Sequence, residues 1–307
     1  MKELWVEKWR PKSIDGYVFR DDHQRKQVET WIKDRSIPHL LLSGNAGIGK
    51  TTLAKILINE LGIEDYDVLE INASRTNSVD DVRDKITNFV QMIPFGPFKV
   101  VLLDEADYLS PNAQAALRGV MEEYHQTSRF ILTCNYPNRI IPAIHSRCQG
   151  FHVERTDLTE FTARVATILV EEAVDFELET LDLYVKVTYP DLRKCINLVQ
   201  QNVHDGKLHA HDKGDAGEAD WKFDMVELFK VGKITEARKL LCGKIRAEEM
   251  EEVYRWLYDN IEIFGPEDNQ DKAILVIKQG LVDHTLIADP EINLSATLIK
   301  LSRLSTQ

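Results

Sequence analysis

Gly44-Asn45-Ala46-Gly47-Ile48-Gly49-Lys50-Thr51 fits the pattern G-x-x-x-x-G-K-[ST] without a mismatch. The residue types imply phosphate chemistry. Glycines let successive backbone N–H groups turn toward phosphate oxygens, and a helix N-terminus adds partial positive charge. Lys50 has the reach for β- and γ-phosphates, and the Thr51 hydroxyl suits Mg²⁺. A second stretch, Lys99-Val100-Val101-Leu102-Leu103-Asp104-Glu105, ends an apolar run in two carboxylates. Lying roughly 50 residues beyond a phosphate loop, Asp104 is expected to hold Mg²⁺ and Glu105 to orient or deprotonate an attacking water. A third run, Arg129 to Asn135, ends in a polar residue. Asn135 either touches the γ-phosphate or its water, or caps the strand end.

These residues need a scaffold that brings strand ends together. Leu40-Leu41-Leu42, Asp67 to Asn72, Lys99 to Leu103 and Arg129 to Asn135 read as buried strands. Helices are expected at 23–35, from Thr51 to Leu57, from a Ser78 cap through about Val90, and from Ser110 to Tyr124. The alternation predicts an α/β fold with a parallel, doubly wound sheet. Beyond Asp157 only helices are expected: 159–172, 177–188 and 191–201, enough for a small lid. The polar, Gly-bearing stretch Val203 to Asp220 reads as a linker. Its His204, His209 and His211 are read as solvated rather than metal-bound. Five helices follow, at 221–231, 234–243, 247–264, 269–288 and 291–304, with no catalytic constellation among them.

Composition sets further bounds. The chain has 307 residues, 43% of them hydrophobic, and no apolar run long enough to span a membrane. Its N-terminus lacks the apolar core of a signal peptide. Cys134, Cys148, Cys195 and Cys242 form no C-x-x-C pair, which argues for a reducing compartment and against zinc. The net charge is −12, yet the first 150 residues carry 19 basic against 20 acidic side chains. Any nucleic-acid contact must therefore be local and lie on the first half.

With these residues placed, the chain resembles the AAA+ clamp-loader ATPases, the family of the replication factor C small subunit and of the T4-like phage clamp-loader ATPase subunit. Trp5 to Asp15 (WVEKWRPKSID) is similar to the family's N-terminal segment, which lies against adenine, with Trp9 where a Tyr is usual. The stretch from Leu102 to Tyr124 is similar to the family's strand, acidic box and central helix. The resemblance carries nucleotide contacts to Val6, Glu7, Lys8, Trp9, Arg10 and Val18, and to Gly44, Gly47, Ile48, Gly49, Lys50, Thr51 and Thr52. It puts Asn135 at the first sensor position. Asp191-Leu192-Arg193 takes the second, so that Arg193 reaches the γ-phosphate. Ser146-Arg147-Cys148 matches the segment whose arginine enters a neighbouring subunit's ATP site. The implied catalytic set is thus Glu105, Lys50, Arg147, Asn135 and Arg193, with Thr51 and Asp104 as metal ligands.

By the same resemblance, Arg75, Arg83 and Arg118 would follow DNA phosphates. Three departures stand out: Asn45-Ala46 where prolines are frequent, Arg75 where an acid is usual, and a single arginine in Leu117-Arg118-Gly119, which sits better with the phage members. The expected organisation is an ATPase domain at 1–155, a helical lid at 156–205, a linker at 206–217 and a helical collar at 218–307. The expected work is ATP- and Mg²⁺-dependent loading of a sliding clamp onto primer–template DNA, in a hetero-oligomeric ring, a pentamer by resemblance. No membrane partner is expected, and the setting is the cytoplasm of a prokaryote or of a phage-infected cell. Two rivals share the nucleotide motifs. A branch-migration helicase would need a winged C-terminal module, for which no strand hairpin is visible. A non-hydrolysing scaffold would have no use for Glu105, Asn135 and Arg147 together.

Overall fold

A computed structural model describes residues 3–75, 79–210, 228, 234–244, 250–284, 286–287 and 289–304. By their internal contacts the residues divide into two compact units, 1–175 with 188–207, and 176–187 with 208–307.

The first unit is built on a five-stranded parallel sheet. Its strands are β1 (Leu40–Ser43), β2 (Val68–Asn72), β3 (Lys99–Asp104), β4 (Ser128–Cys134) and β5 (Gln149–His152), in the order β2-β3-β4-β1-β5. Parallel strands covered on both faces must be apolar at successive positions, and the burial pattern shows it. Leu41, Val101, Leu103, Phe130 and Leu132 belong to one core. Leu40, Leu42, Val100, Leu102 and Ile131 belong to the other.

Helices occupy the two faces. Trp5–Lys8 (α1) and Asp22–Lys33 (α2) precede β1, and Lys50–Glu60 (α3) follows it. Val79–Gln91 (α4) and Pro111–Glu123 (α5) pack on each other. Their starts are chemically marked: Asp21 accepts from Gln24 N at 2.9 Å, and Ser110, with Pro111 behind it, accepts from Ala113 N at 3.2 Å. The expected Ser78 cap lies outside the described residues. The short α6 (Pro142–His145) leads into β5.

Strand β5 was not expected. Only Phe151 of its four residues is buried, so no apolar run announces it. It is an edge strand, held by β1 through the register Leu40↔Gln149 to Ser43↔His152.

Within this unit, α7 (Leu158–Glu171) and α9 (Leu192–Gln201) pack on each other, and α1 packs on α9. Trp5 is buried, and its N–H donates to Gln200 Oε1 at 3.0 Å. The linker expectation needs correction at its start. Val203–His204 and Lys207–Leu208 are short strands flanking a turn at Asp205 and Gly206, and Asp175 N donates to Gly206 O at 2.8 Å. Residues 211–217, including His211, lie outside the described residues.

In the second unit the described helices after residue 210 are α10 (Ile234–Lys244), α11 (Met250–Asp259), α12 (Glu267–His284) and α13 (Pro290–Leu304), following α8 (Leu178–Thr188) earlier in the chain. The helix expected at 247–264 is shorter, and Ile261–Phe264 is a separate 3-10 turn. The expected helix at 221–231 lies outside the described residues except for Leu228. A buried Asn293 ties three of these helices, donating to Tyr254 Oη at 2.8 Å and to Gly280 O at 2.7 Å. The expected lid is not one of the two units, because 176–187 groups with the C-terminal helices.

Candidate active site

The carboxyl ends of β1, β3 and β4 meet at one edge of the sheet. From β1 the chain turns through Gly44, Gly47 and Gly49, all with positive φ, before α3 begins at Lys50. At two of these an added Cβ would also meet a neighbour, backbone at Gly44 and a side chain at Gly47. A Cβ on Gly44 would lie 2.2 Å from Val153 O, and one on Gly47 would lie 2.0 Å from the Asp191 carboxylate.

Lys50 is buried, and its ammonium donates to Gly44 O at 2.8 Å, Asn45 O at 2.6 Å and Asn135 Oδ1 at 2.7 Å. All three acceptors are neutral. Burial pushes the Lys50 pKa down to about 8, Arg193 acting in the same direction and Asp104 and Asp107 against it. A desolvated cation held by carbonyls is a receptor for an anion, so the residues present fit a polyphosphate.

Beside it, Asp104 Oδ1 accepts from Thr51 Oγ1 at 2.7 Å and from Thr133 Oγ1 at 2.6 Å. A carboxylate and a threonine hydroxyl in contact at a phosphate loop form an all-oxygen donor set that fits Mg²⁺. Glu105 follows in the left-handed region, φ 57° and ψ 43°, a strained backbone for a non-glycine residue. Its N–H donates to Thr133 Oγ1 at 3.0 Å, so one hydroxyl fixes both acidic residues. Asp107 is buried one short turn further on. Its Oδ2 accepts from the N–H groups of Asn135 at 3.2 Å and Tyr136 at 3.1 Å.

A cleft of about 740 Å³, open solvent at its mouth included, adjoins the loop. Val6, Trp9, Arg10, Val18, Gly47, Ile48, Gly49, Thr52 and Arg193 all line it. Of the expected contacts, Gly44, Lys50, Thr51 and Asn135 lie outside that lining, as do Glu7 and Lys8 of the N-terminal segment. Glu7 pairs with Arg10 at 2.9 Å, and Lys8 pairs with Glu172 at 2.6 Å. Burial would raise the Glu172 carboxyl, but donors from Lys8 and Trp9 hold it below the usual range.

Arg147 stands apart from the residues at the phosphate-loop edge. It precedes β5, whose first residue Gln149 is in register with Leu40, the first residue of β1. The phosphate loop leaves the other end of β1, roughly 13 Å of strand away. Arg147 forms an ion pair with Glu122 at the end of α5 and donates to Ala143 O at 2.8 Å. Arg75, Arg83 and Arg118 are all exposed, the last two on the neighbouring helices α4 and α5.

Sequence reasoning passed over Thr133, Asp107, Tyr17 and Arg164. Thr133 is a polar residue set within the apolar part of its strand, a signal available in RFILTCN. Tyr17 and Arg164 line the cleft from segments whose approach no local pattern reveals, and Arg164 donates to Trp9 O at 2.8 Å.

Fold and site together define an ATPase of the AAA class. Residues 40–155 match the family described as "ATPase family associated with various cellular activities (AAA)". Close to the full length, the chain is 36% identical to the replication factor C small subunit of Sulfurisphaera tokodaii, over 97% of this chain and 95% of that one. It is 35% identical to that of Archaeoglobus fulgidus (99% and 98%) and 34% identical to that of Methanococcus vannielii (99% and 100%). The chain belongs to the replication factor C small subunit family, and so is a clamp-loader ATPase subunit. These relatives are archaeal and lend no support to the phage reading of the single arginine at Arg118. The Thermotoga maritima RuvB Holliday junction branch migration motor has a similar structure, with a TM-score of 0.56 at 18% identity over 80% of each chain. That likeness is one of fold.

Proposed function

We propose that this subunit binds ATP with Mg²⁺ at the edge formed by β1, β3 and β4, and that its hydrolysis drives loading of a sliding clamp onto primer–template DNA. The observation that carries the reading is the pairing of Thr51 with Asp104 at 2.7 Å beside an ammonium that meets only neutral oxygens. Adenine belongs in the cleft against Val6, Trp9, Arg10 and Val18. Lys50 and the loop N–H groups bind the phosphates, and Asn135 and Arg193 report on the terminal one. Glu105 orients the attacking water and takes its proton. Mg²⁺, held by Thr51 and Asp104, would neutralise phosphate charge.

Arg147 belongs to the neighbouring subunit's centre. Its distance from its own phosphate loop supports that reading, and a charge donated across the interface explains why turnover would need assembly. Partner subunits in a pentameric ring, a clamp and primed DNA complete the machine. Arg75, Arg83 and Arg118 are the proposed contacts to the duplex phosphates. The functional partition is 1–155 for the ATPase, 156–205 for the lid and 218–307 for the collar. A cytoplasmic setting is consistent with the absence, among the described residues, of any helix long and apolar enough to cross a membrane.

The test is phosphate release by the assembled loader with clamp and primed DNA, for wild type and Glu105→Gln. The reading requires DNA-stimulated turnover that the variant loses while still binding nucleotide. Equal turnover in the two would remove Glu105 from the chemistry, and turnover indifferent to clamp and DNA would remove the clamp-loading step.

A further inference from the structure

The acidic turn after β3 contains a third carboxylate that the reaction described above does not use. Asp107 is 5% exposed, and both N–H groups at the end of β4, those of Asn135 and Tyr136, donate to its Oδ2. Its Oδ1 is buried without a hydrogen-bond partner. A buried carboxylate with one oxygen unmatched is expensive, and such a group persists where something else depends on it.

What depends on it can be read from the connections. Asp107 is two residues from Glu105, whose left-handed backbone starts the turn. Across the turn, Asp107 grips the residue whose side chain accepts from Lys50 at 2.7 Å. Thr133 ties Asp104 and the Glu105 N–H to β4. Asp107 ties the other end of the same turn to the residue just beyond β4. The turn is thus pinned at two points on one neighbouring strand, and the second pin lies directly behind Asn135.

From this geometry we infer that Asp107 is a positioning residue: its Oδ2 holds the backbone of Asn135 so that the Asn135 amide, Lys50 and the strained Glu105 keep one fixed register. The inference rests on the proposed roles of Asn135 and Glu105 at the terminal phosphate. Asp107 itself touches no substrate. Its effect is on placement, and a displacement of about 1 Å at a reacting centre costs on the order of 10²-fold in rate.

The test compares Asp107→Asn with Asp107→Ala in the full chain, assembled with its clamp and primed DNA. Asparagine keeps an oxygen that can accept both N–H groups, whereas alanine removes it. Steady-state hydrolysis gives kcat and KM, a fluorescent ATP analogue gives the Kd, and a melting curve confirms folding.

The expected result is that Asp107→Asn keeps kcat within about threefold, while Asp107→Ala lowers kcat roughly 10- to 100-fold with Kd and KM nearly unchanged. Because Asp107 acts through Asn135, Asp107→Ala should cost little more in an Asn135→Ala background. Three results would overturn the inference: an alanine variant within threefold of wild type, an asparagine variant as impaired as alanine, or a loss confined to KM. Should the alanine variant fail to fold, the asparagine variant decides alone, and a loss beyond tenfold there refutes the clamp. A wild-type complex that does not hydrolyse ATP would instead defeat the proposed function on which the inference stands.

Discussion

The Thr51 hydroxyl and the Asp104 carboxylate, 53 residues apart in sequence, meet at 2.7 Å across the ends of α3 and β3. Thr133 donates to the same oxygen at 2.6 Å, so Asp104 is oriented from both sides. Such a preset carboxylate costs no reorganisation when charge develops near it.

The first prediction concerns that pair. Asp104→Ala should leave ATP binding within a few-fold when no divalent ion is present, yet lower Mg²⁺-dependent turnover on the order of 10²-fold. Titrating Mg²⁺ at saturating ATP checks this. A normal Mg²⁺ dependence in the variant would take Asp104 out of the metal site.

Lys50 gives a pH signature with a definite sign. Its pKa is held down to about 8 in the folded chain against an ordinary 10.5. Between these values the unfolded chain binds the extra proton, so without nucleotide this group's contribution to stability rises with pH from about 8 to 10.5. Below 8 the cost of burying the charge is fully present, at most on the order of 3 kcal/mol. Phosphate needs the protonated form. Nucleotide affinity should therefore hold steady below pH 8 and weaken as pH rises through it, by up to about tenfold per unit. Lys50→Met should raise the melting temperature of the nucleotide-free chain while abolishing binding. A pH-independent Kd from 7 to 9.5 would contradict the assignment.

Much of this was legible in the sequence, and the gaps have physical reasons. Leu40-Leu41-Leu42 and Val100 to Leu103 read as strands because a sheet covered on both faces needs apolar residues at successive positions. Gln149–His152 did not, since an edge strand buries only Phe151 and takes its register from β1. The loop lysine and the carboxylates Asp104 and Glu105 follow from a local pattern. Thr133 and Asp107 do their work through contacts made across strands, which a one-dimensional reading does not display. Resemblance carried Glu7 and Lys8 into the nucleotide set, and their side chains pair with Arg10 and Glu172. The stretch after Val203 looked like a linker because polarity and glycine mark tight turns as well as flexible chain, and Asp205–Gly206 is such a turn.

The third prediction addresses stability. Lys99 and Asp67, 1% exposed each, form an ion pair at 3.0 Å, and Asp67 Oδ2 also accepts from Phe95 N at 2.9 Å and Gly96 N at 2.7 Å. Burial alone would raise the Asp67 carboxyl, but the Gly96 N–H, Lys99 and the Phe95 N–H hold it below its ordinary 3.8. A lowered carboxylate pKa contributes stability above the unfolded value that is lost as pH falls through the folded one. The loss from this group should therefore fall below about pH 3.8. At neutral pH, Lys99→Met strands a buried charge and should cost roughly 3–5 kcal/mol, much of it recovered in Asp67→Asn/Lys99→Met. Denaturant midpoints of the single and double variants check this, and a single variant no weaker than the double would refute it.

The last prediction separates a split centre from a self-contained one. Arg147 lies at the amino edge of the sheet, paired with Glu122, whereas Lys50 and Glu105 lie at the carboxyl edge. This placement is why the proposed function assigns Arg147 to a neighbouring centre. Arg147→Ala should leave the variant's own nucleotide Kd unchanged and lower turnover of the assembled loader roughly 10³-fold. Co-assembly supplies the stricter check. Arg147→Ala chains retain Glu105, and Glu105→Gln chains retain Arg147, so a competent centre forms wherever the two meet in the right order. Each variant alone should be nearly inactive, and the mixture should regain a measurable fraction of wild-type turnover. A mixture that co-assembles yet recovers nothing would show that Arg147 does not complete its neighbour's site.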